Sequence, residues 1–403
     1  MHESPGATRP WLPALCAAAM FWSFSFGAGA PLASIWLKEA RFSDTIVGLN
    51  TGIYYLGIAV AALAVPWMMR RWGRGTLIAG MVASGLTVAM FPWGGSLSGW
   101  FVLRILNGFA GAMSLIPLET MVNRVSEPGK RSRNFGYYAF CVAMGIALGT
   151  ALGVQTYALS PRVAFLLGGC AAFVAGFIVL GWLPWRDMDE EHLDRSTPIG
   201  LGRNFLSYGS AWSQGFLEGG MIGLLPIYLL AIGLTKVGAG WLMAVIMIGV
   251  ISFQVPVAWL ADRLGRTFIL VCCYIVTIGC LAALNVGLGL VLLTICLFFT
   301  GACSSAFYPL GLAILGERTP TRGLARTSAW FLGINCIGSL IGPVAAGGAM
   351  DLFGKNAVFA AGEAAVLLII LPWAAVRLYK HFAQTESPVI VSECRPVENR
   401  TAA

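Results

Sequence analysis

The stretch Ala258–Thr267, with the sequence AWLADRLGRT, is a short charged turn between two long apolar runs. A partial copy, PWMMRRWGRG, occupies Pro66–Gly75, 192 residues earlier, and it also follows an apolar run. In this register, Arg71, Gly73 and Arg74 match Arg263, Gly265 and Arg266. A charged turn that recurs at this distance indicates one structural unit used twice.

The composition of the chain places most of it in a membrane. Hydrophobic residues make up 58% of its 403 residues and charged residues 11%, with a mean hydropathy of +0.78. Soluble proteins carry about 25% charged residues, so the chain is far too apolar for that class. Because a membrane-spanning helix needs about 20 apolar residues, the chain has room for about a dozen spans and for no sizeable soluble domain.

Twelve apolar stretches predict twelve transmembrane helices, because a helix satisfies its own backbone in lipid. They cover residues 12–37, 45–69, 76–93, 98–122, 134–157, 163–183, 206–230, 238–260, 267–286, 288–315, 328–350 and 357–376. Further glycine and proline pairs match at the same offset, among them Gly27 with Gly219, Gly48 with Gly240, Gly57 with Gly249, and Pro117 with Pro309. We therefore predict an all-α membrane protein with two pseudo-symmetric halves of six helices. The halves cover residues 1–185 and 205–380, with a linker at 186–204 and a tail at 381–403.

The distribution of basic residues predicts the orientation of these spans. If the N-terminus lies in the cytoplasm, twenty of the 26 Lys and Arg residues fall on the cytoplasmic side, five fall outside, and Arg104 lies within a span. Basic residues collect in cytoplasmic loops. We therefore expect a multi-pass protein of the cell membrane with a cytoplasmic linker and both termini in the cytoplasm. The same rule accounts for the net charge of +8 without a nucleic-acid partner.

Two motifs resemble signatures of the major facilitator superfamily. The turn with Asp262, Arg263, Gly265 and Arg266 is similar to the loop that follows the second helix of each half in that family. The earlier copy departs from it, because Arg70 holds the acidic position and Pro66 the leading glycine. Arg104, Asn107 and Gly108 form R-x-x-N-G, which resembles the fourth-helix signature of the family.

The resemblance implies a secondary transporter that works by alternating access, with the substrate between the two halves. It also implies that both basic turns, including Arg71, Gly73 and Arg74, take part in gating. The fifth span has the glycine ladder of the family's antiporter signature, at Gly145, Gly149 and Gly153. However, Thr150 stands where that signature has proline, which argues against drug–proton antiport.

Charged residues inside spans indicate sites of proton coupling, because each costs about 2.5–3.5 kcal/mol on insertion scales. Glu218 lies near the middle of the seventh span, and Arg104 and Glu119 share one face of the fourth. Desolvation favours the protonated form of a carboxylate, so a buried glutamate can bind and release a proton near neutral pH. We expect Glu218 to carry the proton, with Arg104 as a modulator and Glu119 as the second candidate. Headgroup anchoring, ion pairing or a structural hydrogen bond are the alternative explanations.

A further set of residues predicts the lining of a substrate cavity. Ser207, Ala211, Gln214 and Glu218 lie on one face of the seventh helix and form a wetted stripe. By half-repeat position, Trp22 and Phe26 correspond to Gln214 and Glu218. The complete set of cavity candidates is Trp22, Phe26, Asn107, Gln214, Ser304 and Tyr308. Simple packing is the alternative for the aromatic members of this set.

No nucleotide loop, nucleophile elbow or metal-protease motif occurs in the sequence. The three histidines fall in polar segments, and the ten cysteines form no C-x-x-C pair. We therefore expect a monomeric secondary transporter of a small organic solute, coupled to protons, with no enzyme activity, cofactor or metal. A proton-independent facilitator or an exporter of hydrophobic compounds is the first alternative. A membrane-embedded sensor or enzyme is the second, although a sensor does not need a half-repeat with charges on its cavity helices.

Overall fold

The computed structural model describes residues 11–125, 131–183, 200–287, 289–319 and 324–385. Thirteen α-helices make up nearly all of the described chain. They are α1 Trp11–Glu39, α2 Asp44–Trp72, α3 Arg74–Ala89, α4 Leu97–Val125, α5 Arg131–Leu159, α6 Pro161–Trp182, α7 Phe205–Ala231, α8 Lys236–Leu264, α9 Arg266–Asn285, α10 Leu290–Ser304, α11 Phe307–Arg318, α12 Leu324–Phe353 and α13 Ala357–Thr385.

These helices confirm the predicted twelve-span fold. Ten spans among the described residues are long and apolar enough to cross a membrane, with α10 and α11 counted as one. The bent helix α7 is the eleventh, and the shorter apolar helix α3 is the twelfth. Helix α13 continues to Thr385, so the first five residues assigned to the tail are helical. Residues 186–199 of the predicted linker and 386–403 of the tail lie outside the described residues.

Two spans are interrupted near their centres, in each case beside a proline. Helix α7 bends by 47° between Met221 and Gly223. Pro226 lacks the N–H that would bond the carbonyl of residue 222, which explains a bend at this point. The tenth span breaks at residues 305–306, and Pro309 likewise leaves the carbonyl of Ser305 without its helical donor. Ser304 and Tyr308 therefore lie on separate helices, α10 and α11.

The ends of α2 and α8 repeat each other at the offset of 192 residues. Ser43 and Thr235 cap the two helices, and their side chains accept hydrogen bonds from the N–H groups of Ile46 and Gly238. At the other ends, Gly73 and Gly265 have φ angles of 50° and 97°. Glycine adopts positive φ with little strain, so it ends each helix and lets the chain reverse into the next span.

Close glycine contacts hold the helices within each half together. A Cβ atom at Gly149 of α5 would overlap the backbone of Phe24 in α1. A Cβ atom at Gly342 of α12 would likewise overlap the backbone of Phe216 in α7. Between the halves, extensive packing joins α2 with α12, α5 with α8, and α1 with α7. The outer surface is apolar, as expected for contact with lipid, and Leu63, Leu159 and Phe353 are each more than 80% exposed.

Candidate functional site

Tyr54 and Tyr55 of α2 interact with a positive charge from the first half and with a negative charge from the second. The guanidinium carbon of Arg104, on α4, is 4.9 Å from the centroid of the Tyr54 ring. Both tyrosines interact electrostatically with Arg104 and with Glu218 of α7. The structure thus brings Arg104 and Glu218, two of the predicted coupling residues, to the same pair of tyrosines.

Arg104 is almost fully buried, with 4% of its surface exposed. Its Nη1 donates a long hydrogen bond of 3.5 Å to Oδ1 of Asn107, and its Nε is buried without a hydrogen-bond acceptor. Asn107 in turn donates to Thr87 Oγ1 at 2.9 Å and to the carbonyl of Ser84 at 3.4 Å. Asn107 therefore joins α4 to α3 within the first half, and its amide is occupied by these contacts.

Glu218 and Gln214 form the polar part of the α7 stripe. Nε2 of Gln214 donates to Oε2 of Glu218 at 3.3 Å, and both side chains are half-buried. Glu218 also interacts electrostatically with Tyr308 and Cys336. None of these neighbours is basic, and within the described part of the chain Glu218 has no ion-pair partner.

Glu119 lies 15 residues beyond Arg104 on α4, which corresponds to about 22 Å along the helix axis. It interacts electrostatically with Tyr138 of α5 and with Tyr308 of α11. Tyr308 packs edge-on against Phe331 with ring centroids 4.9 Å apart. Tyr308 thus interacts electrostatically with a carboxylate from each half, Glu119 and Glu218.

The predicted aromatic residues of α1, Trp22 and Phe26, form a chain of ring contacts that reaches Tyr54. Trp22 stacks on Phe26 at 6.2 Å, and Phe26 contacts Tyr54 at 5.4 Å. Trp22 is 5% exposed and belongs to the core of the first half, whereas Phe26 is half-buried. Ser304 is half-buried at the end of α10, beside the break in the tenth span.

The two basic turns make different contacts. Arg266 donates to Oδ1 of Asp262 at 3.1 Å and forms an ion pair with Glu317 of α11 at 3.0 Å. Arg74 instead donates to the carbonyl oxygen atoms of Leu180 and Leu183 at the end of α6. The side chain of Arg263 stacks on the Trp259 ring at 3.9 Å, and Arg71 is exposed. The second turn thus includes an acidic partner at the position that Arg70 holds in the first.

Charged residues join the halves at the opposite end of the bundle, where α1, α5 and α12 end and α2, α8 and α13 begin. We call this the latched end. Asp44, the first residue of α2, is fully buried and contacts Lys38 at 2.5 Å and Lys355 of the second half. Asp351 of the second half accepts the backbone N–H groups of Asp44 and Thr45 at 2.9 and 2.8 Å.

A second set of charges lies at the same end, between α1, α5 and α8. Glu39 forms an ion pair with Lys236 of the second half at 2.6 Å. The hydroxyl of Tyr157 donates to Glu39 at 2.8 Å, and the Lys236 ammonium lies 5.0 Å from the Tyr157 ring centroid. Two separate groups of charged side chains thus link the two halves at this end.

The tyrosines of α2 and the charges of the latched end do not stand out in the sequence. Tyr54 and Tyr55 have no counterpart in the half-repeat, and their only signal is an adjacent pair of hydroxyls inside an apolar span. Asp44 and Lys355 are separated by 311 residues, so their pairing has no local signature. Among the described residues, no group of three or more His, Cys, Asp or Glu side chains could hold a metal ion.

Comparisons with known proteins agree with this architecture. A sequence model of the Major Facilitator Superfamily matches residues 14–217 and 204–392. The uncharacterized MFS-type transporter YfkF of Bacillus subtilis (strain 168) is 27% identical over 347 residues, which cover 83% of this chain and 88% of YfkF.

Solved structures show the same fold at low sequence identity. A mutant form of the nucleoside transporter NupG has a TM-score of 0.76 and 12% identity, covering 90% of this chain and 99% of NupG. A D-xylose-proton symporter has a TM-score of 0.68 and 14% identity, covering 90% of this chain and 97% of the symporter. With the family match extending over both halves, the chain belongs to the Major Facilitator Superfamily and is a multi-pass membrane transporter, not an enzyme.

Proposed function

We propose that the protein is a secondary active transporter that couples the movement of a small organic solute to protons by alternating access. One observation supports this most directly. Arg104 and Glu218 come from opposite halves, interact with the same tyrosines, and are not paired with each other. Charges buried in a membrane protein without an ion-pair partner are rarely structural, because insertion alone costs several kcal/mol.

Alternating access requires the two halves to separate at one end while they close at the other. In the described state the latched end is held by Asp44 with Lys355 and by Glu39 with Lys236. With the proposed cytoplasmic termini, this end faces away from the cytoplasm. The halves rock, these pairs break, and the basic turns at the cytoplasmic end provide the contacts of the alternative state. The protein acts as a monomer in the cell membrane, since both halves come from one chain.

Glu218 carries the proton in this account. Its carboxylate is half-buried, accepts a hydrogen bond from Gln214, and interacts electrostatically with three tyrosines. A proton binds when the cavity faces the more acidic side and leaves on the other side. Arg104 modulates this exchange through Tyr54 and Tyr55, and Glu119 is the second carboxylate along the same interface.

Two of the solved structures with this fold are transporters of small organic solutes. The D-xylose-proton symporter couples a small polar solute to protons on the same fold, and NupG is a nucleoside transporter. At 14% and 12% identity these likenesses concern the fold, so they favour a small organic solute without naming it. Transport without protons is the alternative that the same fold allows.

Proton movement in reconstituted vesicles tests the proposal. Purified protein is placed in liposomes that contain a pH-sensitive dye, and a panel of sugars, nucleosides, amino acids and organic ions is added outside. At least one solute is expected to change the internal pH in vesicles with the wild type and with Glu363→Gln, but not with Glu218→Gln. Glu363 is a matched control because it is a glutamate in the last span, α13. Proton coupling is contradicted if solutes enter the vesicles without a change of internal pH, and the assignment of Glu218 is contradicted if Glu218→Gln moves protons as the wild type does.

A further inference from the structure

We propose that the transported solute is an organic anion, such as a carboxylate or sulfonate with a small apolar or aromatic body, and that Arg104 binds its anionic group. This inference rests on the proposed function, because it assigns the substrate class of the same site. It is carried by the hydrogen-bonding state of the Arg104 side chain and by the rings around it.

The guanidinium of Arg104 has one unused fork of donors. Of its three nitrogen atoms, Nη1 is engaged by Asn107. Neither Nε nor Nη2 donates to a residue in the described part of the chain, and Nε is buried. A guanidinium binds carboxylate and related oxyanions through two parallel N–H groups, and the Nε and Nη2 pair is one such fork.

No acidic side chain in the described ranges occupies this fork. Arg104 is 4% exposed, and its electrostatic neighbours are the neutral tyrosines Tyr54 and Tyr55. A buried charge with one long hydrogen bond is poorly compensated, since charges in a protein interior need a partner of opposite sign. An anion bound on the free fork supplies that partner while the solute is in the site.

The rings beside Arg104 match the apolar body of such a solute. Tyr54 covers one face of the guanidinium, and the N–H donors that would bind an anion lie along its edge. A cavity of about 10 Å³ lies beside Arg104 in this state, so the site has to widen to admit the solute. Phe26 contacts Tyr54 with ring centroids 5.4 Å apart and is half-buried. An aromatic or apolar group attached to the anion can pack on Phe26 while its oxygen atoms meet Arg104.

Glu218 links this anion site to the proton. The titratable groups around Glu218 are Tyr54 and Tyr55 on α2, Tyr308 on α11 and Cys336 on α12, and Gln214 is its hydrogen-bond donor. None of them carries a positive charge, so an ionised Glu218 opposes an anion at the same tyrosines. A proton on Glu218 removes this repulsion, and by linkage each ligand favours the binding of the other. Anion and proton would then move in the same direction.

Binding to the purified full-length chain tests the inference with two matched probes. Benzenesulfonate stays anionic across the working pH range, and benzenesulfonamide is its neutral counterpart of similar shape. We expect wild-type protein at pH 6 to bind benzenesulfonate about tenfold more tightly than benzenesulfonamide, the scale of one charge-assisted pair. The preference should shrink at pH 8 in the wild type, and it should stay at its pH 6 value in Glu218→Gln.

Variants of Arg104 locate the site. Arg104→Gln should abolish the preference for the sulfonate. Arg104→Lys retains the charge and should keep part of the preference, which shows that a loss in Arg104→Gln is not due to misfolding. Glu363→Gln should leave it unchanged. The inference is overturned if benzenesulfonamide binds as tightly as benzenesulfonate, if the preference survives Arg104→Gln, or if phenyltrimethylammonium binds more tightly than either. Each of these outcomes leaves the proposed function standing when Glu218→Gln still stops proton movement in the vesicles.

Discussion

Lys355, in the loop before the last helix, forms an ion pair with Asp44, the fully buried first residue of α2 in the other half. Lys38 approaches the same carboxylate from the first half, so one buried acid joins two lysines. Asp351 adds hydrogen bonds to the backbone of Asp44 and Thr45. The start of α2 is therefore fixed to the end of α12 by charge-assisted bonds, and these must break if the halves separate at this end.

Removal of the Asp44 charge should open the latched end. Asp44→Asn keeps the size of the side chain but leaves Lys38 and Lys355 without their shared anion. Both lysines are about one third exposed, so water compensates part of the lost interaction, and the ties between the halves are weakened. Spin labels at the exposed positions Arg41 and Leu352 report the separation of the halves. We expect Asp44→Asn to shift the distance distribution to longer values. Arg162→Gln removes an exposed charge at the same end and should leave the distance distribution unchanged. An unchanged distribution for Asp44→Asn would show that the Asp44–Lys355 pair does not hold the halves together.

The close approach of α1 and α5 predicts a large effect of a single methyl group. Gly149→Ala places a Cβ atom on the backbone of Phe24, and overpacking of this kind costs about 1–3 kcal/mol. Gly279→Ala meets nothing within 4 Å, and alanine favours a helix interior over glycine by about 1 kcal/mol. Thermal unfolding in detergent should therefore show a lower midpoint for Gly149→Ala and an equal or higher one for Gly279→Ala. The same midpoint shift for both variants would contradict the packing argument.

The second basic turn should matter more for transport than the first. Asp262 accepts from Arg266, which also pairs with Glu317 of α11, so Asp262→Asn disturbs a link between α8, α9 and α11. Exposed pairs contribute only about 0–1 kcal/mol to stability, so the amount of folded protein should stay close to that of the wild type. We expect slower uptake into vesicles for Asp262→Asn than for Arg70→Asn at equal protein levels. Equal slowing by both substitutions would remove the proposed difference between the turns.

Labelling in intact cells tests the orientation. Cys394 lies in the tail, which the charge distribution assigns to the cytoplasm. A membrane-impermeant thiol reagent should leave Cys394 unmodified until the cells are opened, while a cysteine introduced at Arg41 should react at once. Modification of Cys394 from outside intact cells would reverse the proposed orientation.

The sequence predicted the fold well because the relevant signals are local or periodic. Apolar runs identify the spans. The repeat at 192 residues matches the ends of α2 and α8, including their capping residues Ser43 and Thr235. Prolines predict the positions of the breaks in α7 and in the tenth span, but the size of a bend depends on tertiary packing.

The site was predicted only in part, because its contacts are between distant residues. The charges of Arg104 and Glu218 stand out in apolar spans, yet the tyrosines that interact with both do not. Asn107 belongs to the predicted cavity lining, and in the structure its amide joins α4 to α3. The sequence cannot tell whether Asn107 faces the cavity or α3, since both faces of α4 carry small and polar residues.

Accumulation of the solute against its gradient tests the role of Glu218 most directly. The measurement uses a labelled form of a solute that moves protons in the vesicle assay, with wild type, Glu218→Gln and Glu363→Gln reconstituted at equal density. The account predicts that Glu218→Gln loses accumulation driven by a pH gradient, because its side chain cannot carry a proton, and that it still exchanges solute between compartments of equal pH. Glu363→Gln should behave as the wild type. If Glu218→Gln concentrates the solute at the wild-type rate, the proton is carried elsewhere, with Glu119 as the next carboxylate to examine.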